Sequence, residues 1–322
     1  MEDRGVLPTM SYSKIDTFEN CQRRFEKQYV QRLRGEGSTI ALELGSILHK
    51  GLEMKGNYLI NKEDVDYDEI QNAVLNGCDE ETEKDSGHMN GINEIKAAYS
   101  DEWLKSLEDT ENMSYPQKID IYLKEVLPTR MEDPNWEVIG VEVPFEYVYD
   151  NRCIVHGFID RIDRRVDDES ILRVVDYKSS KKVFIDSKIK TPLQMIVYDL
   201  ACLQIYGVIP QYHEYDFILL NQKQASEDGV CSKGYLNRGL KKINNLLDKI
   251  DEAEAKGEYP PSPTPLCYWC PYAPIIHTPN ADKKYGGECQ YYSLWIPEHK
   301  QFAVNQPYVP GEPEKVVRKL VF

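Results

Sequence analysis

The amino-acid sequence predicts an α/β core with helical decoration. Three observations carry this. Hydrophobic periodicity is helical near the start of the chain, switches to alternation at Trp136, and then reads strand, strand, strand, helix, strand up to about Leu219. The chain has 322 residues, enough for one large domain or two modest ones with a real core. Hydrophobic residues make up 41%, which fits a folded chain rather than a disordered one.

Each element has its own signal. Ser13-Lys14-Ile15-Asp16 has the form of a capping box, with Asp in place of the usual Glu. Ile15, Phe18, Phe25 and Tyr29 continue at helical spacing, with Cys21 beside the stripe. A second helix is expected from Thr39 to about Lys55, burying Leu44, Leu48 and Leu52, while Gly45, His49 and Glu53 share a neighbouring face. Residues 60–130 are acidic and helical in character, an expected insertion or cap. Ile139, Val141, Val143, Phe145 and Tyr147 alternate with Gly140, Glu142, Pro144 and Glu146, which marks a strand. Further strands are expected over about Cys153–Arg164 and Ile171–Lys178, joined by a turn at Asp167-Asp168-Glu169-Ser170. Thr191-Pro192 opens a helix ending at Gly207, and a strand follows at about His213–Leu219. After a polar loop, a helix is expected from Tyr235 to Lys256, and the Pro-, Tyr- and Cys-rich remainder reads as irregular. The chain is thus expected to form one domain over 1–322. Its parts are N-terminal helices in 1–58, the insertion in 59–130, the sheet and its helix in 136–220, and a C-terminal helix and cysteine tail in 235–322.

The net charge is −15, which taken alone opposes binding of a polyanion. Its distribution is uneven. Ten acidic residues lie between Glu63 and Asp85, while basic residues cluster at Arg23–Arg34, Lys178–Lys190 and Arg238–Lys242. That pattern predicts a local groove rather than a broadly basic surface. No run of eighteen apolar residues marks a membrane span, and the N-terminus lacks the blocks of a signal peptide. A reducing cytoplasm is the expected compartment, and eight cysteines there point to metal binding wherever they cluster.

On the third strand Leu172, Val174, Asp176 and Lys178 point to one side, and Asp160 takes the matching late position of the preceding strand. A hairpin would bring the two aspartates together, where mutual repulsion calls for a cation between them. Hard oxygen ligands suit magnesium or manganese, and Lys178 beside such an ion would orient or deprotonate a water. A structural salt bridge at a strand end accounts for the same spacing, and from spacing alone both readings stand.

Gly157-Phe158-Ile159-Asp160 followed by Val175-Asp176-Tyr177-Lys178 resembles the PD-(D/E)XK nucleases, and their RecB-like branch in particular. Ser11-Tyr12-Ser13 with Cys21-Gln22-Arg23-Arg24-Phe25 resembles that branch's N-terminal helix, Gly45-Ser46-Ile47-Leu48-His49 its Gly-x-x-x-His helix, and Gln194-Met195-Ile196-Val197-Tyr198 its Gln-x-x-x-Tyr helix. The resemblance implies a restriction-endonuclease-like fold, a mixed central sheet flanked by helices. It implies His49, Asp160, Asp176 and the Tyr177 carbonyl as ligands of Mg or Mn, with Lys178, Gln194 and Tyr198 joining the aspartates in catalysis. Glu142 reads as a solvent-facing glutamate, with an extra metal ligand as the other reading.

Cys267-Tyr268-Trp269-Cys270 has metal-knuckle spacing, and eighteen residues separate Cys270 from Cys289. In the iron–sulfur members of the branch one cysteine lies on the N-terminal helix and three near the C-terminus. The resemblance therefore implies a [4Fe–4S] cluster on Cys21, Cys267, Cys270 and Cys289, mainly structural in role. The gap before Cys289 is longer than the family's, and His277 inside it leaves structural zinc as the alternative. Cys78, Cys153, Cys202 and Cys231 are scattered and read as ordinary buried or surface residues.

The resemblance implies a metal-dependent deoxyribonuclease, an exonuclease processing DNA ends in recombination, repair or phage DNA metabolism. It is closer to stand-alone enzymes of phages and CRISPR adaptation than to helicase fusions, since the chain has no Gly-x-x-x-x-Gly-Lys-Ser/Thr phosphate loop. The implied partner is DNA, single-stranded or with a free end, with a homo-oligomer or a helicase or recombination partner in addition. The competing reading is a non-catalytic DNA- or protein-binding module built on the same fold.

Overall fold

The computed structural model describes residues 7–33, 40–77, 91–98, 114–180, 183–184, 193–225, 233–274, 284–296 and 301–305. Its contacts gather into two compact units. The first comprises Met1–Tyr12 with Ile40–Lys242, the second Ser13–Thr39 with Ile243–Phe322.

The first unit is built on a six-stranded mixed sheet. Its strands are β1 (Thr9–Met10), β2 (Trp136–Tyr149), β3 (Cys153–Arg165), β4 (Leu172–Lys178), β5 (Tyr212–Phe217) and β6 (Gln222–Ala225). Antiparallel β2 lines one edge of β3 along almost its whole length. The other edge of β3 is divided: β1 pairs in parallel with Ile154 and Val155, and antiparallel β4 pairs with Arg161–Arg164. Between them, residues 157–160 have no strand beside them on that edge among the described residues. The sheet forks there.

β4 lies between antiparallel β3 and parallel β5 and is buried on both faces. The one-sided alternation expected for it is therefore replaced by a nearly continuous buried run, as a central strand requires. Val175 and Tyr177 pack on the helix α3 (Ile40–Asn61), which continues past the expected end at Lys55. Helices α4 (Tyr67–Asn76), α5 (Ile92–Ala98) and α6 (Tyr115–Ile121) supply the expected helical insertion. Ile70, Val74, Ile92, Ile95 and Tyr122 pack against Leu44, Leu48 and Leu52 of α3. Gly51 lets these helices close up, because a Cβ there would lie 2.4 Å from the Tyr122 hydroxyl, which itself donates to the Leu48 carbonyl at 2.7 Å. Helix α7 (Leu193–Tyr206) follows β4, while the Thr191-Pro192 start expected for it lies outside the described residues.

The sheet interior is charged as well as apolar. Arg130 clamps Asp216 through Nε and Nη2 at 2.7 and 3.1 Å, with both side chains buried. Asp163 lies between Arg161 at 3.0 Å and Arg173 at 2.7 Å. Such pairs hold only while complete, since removing one partner strands the other charge in the core.

In the second unit, α1 (Tyr12–Asn20) starts one residue before the expected box, and α2 (Gln22–Phe25) runs into a π-turn over Glu26–Val30. Phe25 meets Phe18 edge-on at 5.1 Å and stacks on Tyr259 at 6.2 Å. The Tyr272 hydroxyl donates to the Leu33 carbonyl at 2.6 Å. The tail is less irregular than expected, because β7 (Tyr292–Ile296) and β8 (Gln301–Asn305) form an antiparallel pair. Helix α8 (Lys233–Lys256) matches its expected span closely, and β6 lies in what reads as a polar loop. No helix of the described residues is long and apolar enough to cross a membrane.

Asp216→Ala is expected to lower the unfolding free energy by about 3–5 kcal/mol, because it leaves Arg130 buried and unpaired. Replacing both residues by leucine is expected to cost much less than the single change. Urea unfolding of the three proteins measures this, and a double variant as unstable as Asp216→Ala would contradict it.

Candidate active site

The fork in the sheet collects most of the residues singled out by sequence. Asp160 stands on the unpaired stretch of β3, and its Oδ2 accepts the Tyr177 backbone N–H at 2.7 Å, so a side chain takes the place of a ladder bond. Arg161 pairs with Val175 across the ladder, which makes Asp160 and Asp176 the next opposed pair. Gly157 is needed because a Cβ there would come within 2.8 Å of the Phe145 ring on β2. Gly45 plays the same part on α3, where a Cβ would meet the Ser179 hydroxyl at 2.9 Å. One helical turn later, His49 Nδ1 lies 3.8 Å from Asp160 Oδ2 and 4.0 Å from Glu142 Oε1.

Glu142 departs from the expected solvent-facing role. It adopts φ +43° within β2, a left-handed conformation rare for a residue other than glycine. Together with His49 and Asp160 it offers a ligand atom, all three within 4.8 Å of one another. The β2–β3 register, with Val141 opposite Arg161 and Val143 opposite Ile159, sets Glu142 across from Asp160 at the fork. Strain of this kind is concentrated at functional sites.

Lys178 is fixed from two sides. Its ammonium pairs with the Asp176 carboxylate and donates to Gln194 Oε1 at 3.0 Å. Gln194 Nε2 in turn donates to the Tyr198 hydroxyl at 2.8 Å, so the four-residue spacing on α7 works as one relay.

Burial dominates the electrostatics. It pushes the carboxyls of Asp160 and Asp176 up to about 6, against the pull of Lys178. Glu142 rises to about 7, through burial first and then the neighbouring Asp160 and Glu53. The imidazole of His49 is lowered to about 4 by burial, so at neutral pH it is an uncharged donor of a lone pair. Three carboxylates and a neutral imidazole are the donor set of a hard divalent ion. Both oxygens of Asp176 are buried and, apart from the ion pair with Lys178, accept no hydrogen bond. These residues fit a divalent cation.

The second unit has a site of its own. Cys21, Cys267, Cys270 and Cys289 line one cleft with Arg23, Arg24, Pro261, Tyr272 and Tyr291. All four cysteines are free thiols. Burial raises the thiols of Cys267, Cys270 and Cys289, and the neighbouring Arg24 draws Cys270 back toward the thiolate. The scattered Cys153 and Cys202 are buried, as expected of ordinary core residues; Cys78, Cys231 and His277 lie outside the described residues.

A mixed sheet that opens onto paired aspartates, a lysine and a histidine presents a donor set that fits a divalent cation. The chain matches the PD-(D/E)XK nuclease superfamily over residues 9–275 and belongs to it. It is similar to an ATP-dependent helicase/deoxyribonuclease subunit of Streptococcus agalactiae serotype III, 27% identical over 243 residues, 75% of this chain and 20% of the relative. The protein of the same name from Clostridium perfringens strain SM101 is 22% identical over 284 residues, 79% of this chain and 23% of the relative. That of Streptococcus mutans serotype c is 29% identical over 194 residues, 59% of this chain and 16% of the relative. The chain therefore spans about a fifth of the length of these relatives, and the likeness supports the RecB-like branch.

The raised carboxyls set two pH dependences. Their folded values lie above the unfolded ones of about 4, so the metal-free fold binds more protons than the unfolded chain between about pH 4 and 7. Its stability thus falls as pH rises through that window. Asp160→Asn is expected to raise the metal-free melting temperature at pH 8 and leave it unchanged near pH 4. Manganese affinity in the wild type, followed by calorimetry, is expected to climb from pH 5.5 to 7.5 and then level. An affinity flat across that range, or an Asn variant less stable at pH 8, would contradict the assignment.

Proposed function

We propose that this chain is a magnesium- or manganese-dependent deoxyribonuclease that processes DNA ends as an exonuclease, in recombination, repair or phage DNA metabolism. The observation that carries the reading is the convergence of Asp160, Asp176 and Lys178 with His49 and Glu142 at the fork of the sheet. His49, Glu142, Asp160 and Asp176 would hold the ion, with the Tyr177 carbonyl beside them. When bound, the ion polarises the scissile phosphate and lowers the pKa of its water.

The remaining work belongs to the side chains. The ammonium of Lys178, held between Asp176 and Gln194, orients the attacking water and offsets phosphate charge. Tyr198 fixes Gln194 and so the direction of that ammonium. In-line attack by the water expels the 3′ oxygen of the neighbouring nucleotide. Burial of the carboxylates excludes bulk water and strengthens every charge interaction at the phosphate.

Cys21, Cys267, Cys270 and Cys289 are read as ligands of a [4Fe–4S] cluster that ties the N-terminal helix to the C-terminal region. Four thiols in one cleft support a thiolate-bound metal centre, and the lack of a second closely spaced cysteine pair is the ground for preferring iron–sulfur to zinc. The relatives' names join a deoxyribonuclease to an ATP-dependent helicase, which supports a helicase or recombination partner in preference to a homo-oligomer. The free-ended DNA substrate and the kinship with phage and CRISPR-adaptation exonucleases belong to the same proposal.

The test is end-labelled single- and double-stranded DNA incubated with manganese and then magnesium. The wild type is expected to cut, and Asp176→Ala and Lys178→Ala to slow cutting by at least ~10²-fold. No cutting, or variants as fast as the wild type, would leave the non-catalytic module as the reading. Cleavage of closed circular DNA would retain the nuclease and reject the exonuclease. A brown protein absorbing near ~400 nm is the expected sign of iron–thiolate charge transfer; a colourless zinc protein would reject the cluster.

A further inference from the structure

Two residues before Asp160, Phe158 is 59% exposed. It stands between the intermediate Gly157 and the buried Ile159, and the alternation of burial places His156, Phe158 and Asp160 on the open side of β3. An aromatic ring left in water costs hydrophobic free energy unless something covers it. Its cross-strand partner is Pro144, itself exposed, so the ring stands beside a rigid apolar floor. The other aromatic side chains around the fork, Phe145, Tyr177, Tyr198 and Tyr215, are buried. Among these Phe158 alone has a ring open to solvent.

We propose that Phe158 is a base-stacking residue, whose ring receives the nucleobase flanking the scissile phosphate. The proposal rests on the nuclease reading and adds to it the side chain that would hold an unpaired nucleotide. A phosphate at Asp160 and Asp176 places its neighbouring nucleotides within one backbone step. Two residues of strand span about 7 Å, which sets Phe158 at that reach. Nucleobases present flat apolar faces that stack on aromatic rings whatever the sequence. In a duplex those faces are covered by neighbouring pairs, so stacking on Phe158 selects a frayed end or a single strand. Stacking is also independent of charge, which suits a chain of net charge −15 whose site is rich in carboxylates.

The experiment compares the wild type with Phe158→Ala and Phe158→Trp on two single-stranded oligonucleotides, one normal and one with abasic residues flanking the cleaved bond. Steady-state cleavage with manganese gives KM and kcat. A fluorescence-anisotropy titration with calcium in place of manganese gives affinity without cleavage. Phe158→Ala is expected to weaken binding and raise KM about tenfold on the normal strand. Phe158→Trp is expected to behave as the wild type, and all three proteins to converge on the abasic strand. Equal affinity of wild type and Phe158→Ala for the normal strand would overturn the proposal. A loss that persists undiminished on the abasic strand would overturn it too. Unchanged melting temperatures establish that the variants fold. If the wild type cuts neither strand, the nuclease reading fails, and the titration still decides whether Phe158 holds a base.

Discussion

Where β4 parts from β3, a backbone donor of β4 is met by a carboxylate of β3 instead of a ladder bond. The Tyr177 backbone N–H, which would otherwise face an empty edge, donates to Asp160. That bond ties β3 to β4 at the point where the sheet forks, and it sets the direction of Asp160. A buried backbone donor needs a partner, and here the partner is also a proposed metal ligand. Everything else at the site follows from this geometry: α3 approaches through Gly45 and delivers His49, while β2 bends at Glu142 to add a third carboxylate.

The arrangement is costly without a counter-charge. Asp160, Asp176 and Glu142 are all pushed upward mainly by burial, and Lys178 is the cation that opposes this for the two aspartates. The rest of the fold holds the carboxylates in place against that cost. Tyr177, whose N–H meets Asp160, is gripped from the sheet interior by Arg161 Nη1, which donates to its hydroxyl at 2.9 Å. Arg161 is in turn anchored on buried Asp163, and Asp163 on Arg173. Residues one position from the proposed catalytic groups thus belong to a buried ion network. Preorganisation of this kind is what a charged transition state rewards.

Much of this was legible in the sequence because its signals are local. The alternation after Trp136 and the shared face of Asp176 and Lys178 reflect side-chain periodicity, while Gln194 and Tyr198 stood out through the family resemblance, and the structure gathers their residues. Glu142 was legible only as one of two readings, solvent-facing or an extra metal ligand, because the register that opposes it to Asp160 is set by pairing between strands and not by its own neighbours. The short β1 and β6 and the pair of β7 and β8 were missed for a related reason. Their pairing is set by neighbours distant in sequence, and their side-chain patterns are too short or too polar to stand out. The same limit applies to β4, where burial on both faces erased the alternation on which its reading rested.

The central claim is that the fork is a divalent-cation site assembled from His49, Glu142, Asp160 and Asp176. Crystals soaked in manganese and measured at a wavelength where manganese scatters anomalously test it most directly. The account predicts an anomalous peak about 2.0–2.3 Å from carboxylate oxygens of Asp160 and Asp176, with His49 beside it. A peak at another site, or Lys178 still closed on Asp176 with no ion between the aspartates at saturating manganese, would contradict it.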